Sequence, residues 1–248
     1  MEKDGCTSGS EDGGDAEWKK VALMRANVEA KDPTAKELDD LMLRRFLRAR
    51  NLDIEKASVM FLKYLKWWKE AVPKGFISDE EVRNELNQKK MFLQGFDKKG
   101  RPVGVVLGAK HHCYKHRQMN EFKSYVVYVI EKLCSSMPTG QEKFTVIADL
   151  QGWGYSNSDM RGSFAAQEIL QNYYPERLGK VFLIHAPSLF MKAWKILYPF
   201  IDSNTREKYV FVEDKNLKPM LLADIDEDQL PVIYGGKLPL VPIDASGK

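Results

Sequence analysis

The stretch that most constrains this chain runs from Asn172 to Asp202, NYYPERLGKVFLIHAPSLFMKAWKILYPFID. A charged turn, Pro175-Glu176-Arg177 with Gly179, leads into an apolar run, Val181 to Ile184, that reads as a strand. The run breaks at Ala186-Pro187 and restarts as Leu189, Phe190, Met191, Ala193, Trp194, Ile196, Leu197, Tyr198 and Phe200. At about 100° per residue these side chains cover most of a helical circumference rather than one stripe. A helix apolar all round needs apolar matter on both sides. The protein's own core supplies one side. The other calls for a second core, a partner, a lipid or a membrane. A central core helix is the plain alternative.

Composition narrows the choice. With 248 residues, 44% hydrophobic and 11% aromatic, the chain can bury a real core as one large domain, or as one domain with a smaller appendage. A formal charge of +3 is too weak a bias to argue for nucleic acid. Cys6, Cys113 and Cys134 are odd in number and lack metal-type spacing, which suits a reducing compartment. The start, MEKDGCTSGSEDGGD, is acidic and rich in Gly and Ser, and residues 1–16 read as a disordered tail. That tail has no apolar leader-like region and no glycine after Met1 for myristoylation. No segment reaches the roughly 18–20 apolar residues of a bilayer span. The expectation is a cytoplasmic protein that meets a membrane from outside.

The patterning divides the chain in two. From Ala16 to about Leu86 the period is helical. Leu38, Leu41, Met42 and Leu47 form one face after the start signal Asp32-Pro33-Thr34. Ile54, Ala57, Phe61, Leu65 and Trp68 form the next, capped by Asp53 and closed near Pro73 and Gly75. After about Lys90 short apolar runs alternate with helical ones. MFLQGF and RPVGVVLG flank the turn Asp97-Lys98-Lys99-Gly100, and Phe122–Met137 reads as a helix. FTVIADL reads as a strand buried on both faces, residues 160–172 as another helix, and YVFVE as a last strand. LPVIYGGKLP reads as an apolar tail. Strands alternating with helices predict an α/β sheet that is at least partly parallel.

Catalytic signals are weak. The chain has no glycine-rich phosphate loop, G-x-S-x-G elbow or H-E-x-x-H helix. HHCYKH, His111 to His116, offers three metal-type ligands in a polar connector without a fourth. Asp149 and His185 end buried strands, and Ser156 or Ser158 would complete a Ser-His-Asp set; capping by Asp149 and plain loop serines is the simpler reading.

The arginines of Arg44-Arg45-Phe46-Leu47-Arg48-Ala49-Arg50 are more informative. In a helix Arg44 and Arg48 lie one turn apart off the apolar face, whereas Arg50, four after Phe46, lies on the apolar side. An inward guanidinium needs an anion, either an internal carboxylate or a phosphate, for which its planar fork is suited. Thr205 and Lys208 share a face just after the apolar helix and suit the polar end of an amphiphile.

LRRFLRARNLDIEKA, DKKGRP, FTVIADLQG, QNYYPERLGKVFLIHAP and LPVIYGGKLP, in that order, resemble the CRAL-TRIO family. That family includes yeast-type phosphatidylinositol transfer proteins, α-tocopherol transfer protein and cellular retinaldehyde-binding protein. The likeness runs from about Ala35 to Pro242 and is greatest to short plant members. It implies a helical lobe, residues 17–88, packed on a lipid-binding lobe, residues 89–242, whose mixed, largely parallel sheet floors a lipid cavity. The all-apolar helix, with Phe190, Trp194 and Leu197, becomes a gate over that cavity.

The family's inositol-phospholipid residues carry over as Arg50, Asp97, Glu176, Arg177, Thr205 and Lys208, which makes phosphatidylinositol the leading ligand. The positions where phosphatidylcholine-exchanging members hold a serine, a threonine and a tyrosine are Phe144, Val146 and Gly104 here. This departure leaves a sterol, a tocopherol-like molecule or another hydrophobe as counter-ligand. The resemblance implies no catalysis, no cofactor, no metal and no nucleic acid. It implies a monomer that meets membranes transiently, with phosphoinositide kinases as possible protein partners. Two other classes stay open: a regulatory module that reads lipid without moving it, and a hydrolase-like enzyme.

Overall fold

The computed structural model describes residues 11–112 and 119–245. The first ten residues of the expected tail, with Cys6, and the Cys113–His116 part of the histidine-rich connector lie outside them. The chain forms two compact units, Met1–Pro73 and Lys74–Lys248. The sequence reading had carried the helical lobe on to residue 88.

The first unit holds α1 (Glu11–Glu29), a 3-10 turn (Pro33–Glu37), α2 (Asp40–Arg48) and α3 (Ile54–Ala71). Helix α1 begins inside the stretch read as tail. Its buried Val21, Met24 and Val28 recur at helical spacing and give it a face to pack. Aspartates start the elements that follow: Asp32 accepts from the Thr34 amide, Asp39 from Leu41 and Asp53 from Lys56. Phe46 meets Phe61 edge to face at 5.0 Å in the core between α2 and α3.

The arginine stripe has an internal acid. Arg44 donates to Glu17 at 2.9 Å, and Arg48 clasps both oxygens of the same carboxylate. Hydrogen bonding from Arg48, and then from Arg44, holds the Glu17 carboxyl at about 2, against the desolvation that opposes it. The folded pKa is depressed, so this stabilisation is present above the ordinary carboxylate value of about 4.3 and is lost as pH falls toward 2. Glu17→Gln should therefore destabilise the protein by about 2 kcal/mol at pH 7. Urea titrations at pH 7, 4.5 and 3 should show the difference from the parent shrinking as pH falls. A constant difference would mean that charge pairing is not the cause.

The second unit opens with α4 (Arg83–Asn87), β1 (Met91–Phe96) and β2 (Pro102–Leu107), followed by α5 (Met119–Ser135), β3 (Phe144–Asp149), α6 (Met160–Tyr173) and β4 (Leu178–Ile184). It then adds α7 (Ser188–Leu197), a 3-10 turn (Tyr198–Phe200), α8 (Ser203–Arg206), β5 (Tyr209–Val212) and α9 (Leu217–Asp224). The sheet order is β1-β2-β3-β4-β5, with β1–β2 antiparallel and the remaining pairs parallel. The β1–β2 connection closes through Gly100 at φ +70, whose amide bonds the Asp97 carbonyl at 2.8 Å.

Alternation gives the sheet two apolar faces. On one, Val103, Val105, Ile147, Phe182, Ile184 and Val212 pack against Leu221 and Ile225, with Leu230 and Tyr234 from the following segment. Helix α9, which supplies Leu221, was not anticipated; Pro219 in its first turn masks the helical pattern. Residues of the other parity, Val106, Phe144, Val146, Ala148, Val181, Leu183 and Tyr209, face a cavity. The C-terminal segment covers the free side of β1: Leu93 donates to Val241 and Ile243 to Met91. Among the described residues no helix is long and apolar enough to cross a membrane.

Candidate functional site

The cavity has a volume of about 400 Å³. Its floor is the sheet, and its walls are Tyr125, Val126, Val129, Ile130 and Leu133 of α5 and Met160, Ser163, Gln167 and Leu170 of α6. Phe190, Ala193, Trp194 and Leu197 of α7 complete it. Phe144 and Val146 line it as apolar groups. Gly104 lies under Met91 and Leu133: a Cβ there would come within 2.7 Å of the Met91 methyl, so these side chains already occupy the space a larger residue would need.

Helix α7 has no buried residue, which a central core helix would have. Its inner side rests on aromatic contacts, Trp194 on Tyr209 at 4.7 Å and Phe190 edge-on to Trp153 at 5.3 Å. Ile196, Tyr198 and Phe200 are exposed on the outer side, as are Lys192 and Lys195. Both roots of the segment are anchored. At the N-terminal root His185, at φ +51, donates through Nδ1 to Asp149 at 2.9 Å, and Asp149 also accepts the Tyr234 hydroxyl at 2.8 Å. At the C-terminal root Gln171 bonds the Phe200 carbonyl at 3.2 Å and the Asp202 amide at 2.8 Å.

The His185–Asp149 pair gives no support for a Ser-His-Asp centre. The second nitrogen of His185 lies 4.0 Å from Asp214, a carboxylate, and the Ser156 hydroxyl bonds its neighbour Asn157. Among the described residues no group of three His, Cys, Asp or Glu is placed to hold a metal ion.

The residues expected to bind a headgroup fall into distinct settings. Glu176 sits at φ +59, a conformation uncommon for a residue with a Cβ, and pairs with Lys143 at 3.2 Å. Burial pushes the Lys208 ammonium below its ordinary pKa; Glu176 pulls it up and Lys143 pushes it further down. Thr205 lies one turn earlier, its carbonyl accepting from the Lys208 amide at 3.1 Å. Arg177 donates to the Glu142 carbonyl at 3.1 Å. Lys143 was not anticipated; as an isolated lysine before a strand it carries no signal of its own.

Arg50 departs from the sequence reading. Helix α2 stops at Arg48, and Asn51 and Leu52 take positive φ, so Arg50 sits in the turn rather than on a helical apolar face. It is half-buried and donates to the Ala49 carbonyl at 2.9 Å.

Asp97 has a different setting from that of a ligand acceptor. Its oxygens accept from the Lys99 and Arg101 amides at 2.9 and 3.0 Å, from Arg101 Nε at 2.6 Å and from Thr145 Oγ1 at 2.7 Å. This cluster is buried and ties the β1–β2 turn to β3. Gly179 makes room for it, because a Cβ there would lie 2.6 Å from Arg101 Nη1 and 3.0 Å from the Phe144 carbonyl. Asp97→Ala should cost about 3–5 kcal/mol of stability by leaving the Arg101 charge buried and uncompensated. Denaturant unfolding without added lipid should show the full loss; a small loss there, with a large one in lipid affinity, would return Asp97 to the ligand.

A second polar group, also unanticipated, lines the cavity through Lys90 and His111, whereas Lys208, Thr205, Glu176, Arg177 and Lys143 are not among its lining residues. Lys90 forms a buried ion pair with Glu85, and its Nζ donates to Gln88 at 2.9 Å and to His111 Nδ1 at 3.0 Å. Burial, and then the Lys90 charge, push His111 down to about 4, so its ring is neutral at pH 7.

The CRAL/TRIO domain matches residues 86–236. Over 218 residues the chain is 34% identical to the SEC14 cytosolic factor of Eremothecium gossypii, covering 82% of this chain and 70% of that protein. It is 34% identical to a CRAL-TRIO domain-containing protein of Saccharomyces cerevisiae, covering 80% and 71%. With the phosphatidylinositol/phosphatidylcholine transfer protein SFH7 of Arabidopsis thaliana it shares 32% identity over 80% of this chain and 39% of the relative. The crystal structure of Sfh5 has the same fold, with a TM-score of 0.71 at 19% identity, covering 100% of this chain and 93% of that one.

Proposed function

The chain belongs to the CRAL/TRIO domain family, and on that premise we propose that it binds a single phospholipid, phosphatidylinositol, in its cavity and transfers or presents it between membranes. The observation that carries this reading is the setting of Lys208. Burial disfavours its charge, and its carboxylate neighbour Glu176 is already paired with Lys143. A phosphate brought to Lys208 and Lys143 would supply the missing countercharge. Thr205, one turn before Lys208, and Glu176, whose charge acts on Lys208, would supply groups for inositol hydroxyls, with Arg177 next to Glu176 in the chain. Arg50, in the first unit, stays a proposed phosphate ligand on the resemblance alone, and Asp97 holds the β1–β2 turn in place. The names of the relatives support an inositol phospholipid.

The apolar cavity is the place for acyl chains. Phe144 and Val146 bring no hydroxyl to it, so the phosphatidylcholine half of the named relative's activity is not carried over. We assign lipid binding to residues 89–242, and we read the protein as a cytoplasmic monomer that docks on membranes peripherally. Phosphoinositide kinases are the class of protein that would use the lipid it presents.

Lys208→Ala should weaken phosphatidylinositol binding tenfold or more, since loss of a buried charge contact costs on the order of 2–5 kcal/mol. Because burial lowers the Lys208 pKa, affinity of the parent should also fall on the alkaline side before an ordinary lysine would lose its proton, and Lys208→Met should lack that fall. Titration with vesicles of phosphatidylinositol in a neutral carrier lipid measures both effects. Unchanged affinity in Lys208→Ala would remove the headgroup site.

Lipid entry requires α7 to move. The outer side chains Ile196, Tyr198 and Phe200 are the ones to meet a bilayer, with Lys192 and Lys195 beside them. The inner Phe190 and Trp194 would meet it only after opening. Phe200→Asp should cut vesicle association and slow transfer several-fold with the circular dichroism spectrum unchanged, because it removes an exposed ring worth about 1.5–3 kcal/mol in apolar surroundings. Undiminished vesicle association would exclude this face as the docking surface. Lipid binding without any vesicle-to-vesicle transfer would favour a lipid-reading module.

A further inference from the structure

The root from which α7 springs holds a charged cluster that lipid binding does not use. Strand β4 ends at Ile184, and His185 follows at φ +51, two residues before Pro187, the N-cap of α7. A residue with a Cβ persists in that conformation only where its surroundings hold it. Here the side chain supplies the hold. Nδ1 bonds the Asp149 carboxylate of β3 at 2.9 Å, and Nε2 lies 4.0 Å from Asp214, just past the end of β5.

Asp149 is buried. Besides His185 it accepts from the Gln151 amide at 2.9 Å and the Tyr234 hydroxyl at 2.8 Å. Among the described residues no lysine or arginine pairs with it, and His185 is its one basic partner. A buried carboxylate without a countercharge is costly. Histidine is the side chain suited to supply that charge conditionally, between pH 5 and 8.

The other charges around the ring are few. Asp214 is exposed, and its neighbour Glu213 is paired with Lys215 at 2.8 Å. His185 opens into a crevice at the carboxyl ends of β3, β4 and β5, which Glu213 and Asp214 line together with Met191 of α7. Lys192 and Lys195 of α7 are not among its lining residues.

The two protonation states hold this root unequally. With Nδ1 donating to Asp149, the neutral ring has only a lone pair on Nε2, and that lone pair faces a carboxylate without a bond. In the imidazolium both nitrogens donate, and both carboxylates attract the ring. We propose that His185 is a proton-operated latch on the root of α7. Its protonated form ties the end of β4 to Asp149 and Asp214 at once and stiffens the link through Ala186-Pro187. Loss of the proton as pH rises releases the Asp214 side and frees the link. The proposal rests on the reading that α7 moves.

Hydrogen exchange on the purified full chain tests the latch at pH 5.5 and 8.0, with labelling times scaled for the intrinsic pH dependence of exchange. Peptides from residues 186–200 report on α7, and peptides from residues 160–173 serve as the internal control. Relative to α6, α7 should be about fivefold better protected at pH 5.5 than at pH 8.0, the scale of one exposed ion pair. His185→Asn keeps a donor for Asp149 and a residue type that tolerates positive φ, and it should remove the difference. Asp214→Asn, a change at an exposed side chain, should shrink it without any demand on the fold. Equal protection of the parent's α7 at both pH values, with α7 still more open than α6, would overturn the latch alone, and so would a difference that persists undiminished in both variants. An α7 as well protected as α6 at both pH values would overturn the latch together with the moving helix it rests on.

Discussion

Strand alternation is the constraint on which the second unit depends. Each strand carries apolar side chains on both parities, so both sheet faces must be covered. One face is closed conventionally, by α9 and the segment to Tyr234. The other is covered by α5, α6 and α7, with an apolar volume of about 400 Å³ between them and the strands. An apolar volume of that size offers the surroundings in which an apolar molecule would be bound.

Charge is handled differently around two buried lysines. Around Lys208 the carboxylates are Glu176, which is paired with Lys143, and Asp202, and burial still lowers the ammonium below its ordinary pKa. Around Lys90 the charge is met by Glu85, and the imidazole beside it is held neutral. Low dielectric makes both arrangements consequential. The first setting is the one proposed to favour an anionic headgroup; the second adds no net charge to the cavity that Lys90 and His111 line.

The amphipathic and doubly buried runs were legible in the sequence because their physics is local. MFLQGF, FTVIADL and VFLIHA became β1, β3 and β4, and Asp53 became the cap it resembled. The unusual circumference of α7 was legible for the same reason. What escaped was set by neighbours distant in sequence. Arg44 and Arg48 found Glu17, 27 and 31 residues away. Asp97 bonds Thr145 across 48 residues, a tie between the β1–β2 turn and β3 that the local sequence does not announce. Arg50 lies past the end of α2, in a turn where Asn51 and Leu52 take positive φ; Asn51 is a residue type that favours such a stop, whereas Leu52 is not.

The anchoring of α7 explains how such a surface can be both closed and movable. Its two roots are fixed by polar bonds that do not depend on the helix resting on the cavity: His185 to Asp149 at one end, Gln171 to Phe200 and Asp202 at the other. Between them the inner side is held by aromatic contacts, each worth about 0.5–1.5 kcal/mol beyond area burial, and by no fully buried side chain. Lifting the segment therefore breaks apolar contacts but leaves the helical hydrogen bonds and the root anchors in place. In water the exposed Phe190 and Trp194 would drive it back. Against a bilayer those rings would find apolar surroundings on the far side, and the closing force would largely vanish. If α7 is the proposed gate, its apolar circumference would make opening conditional on a membrane.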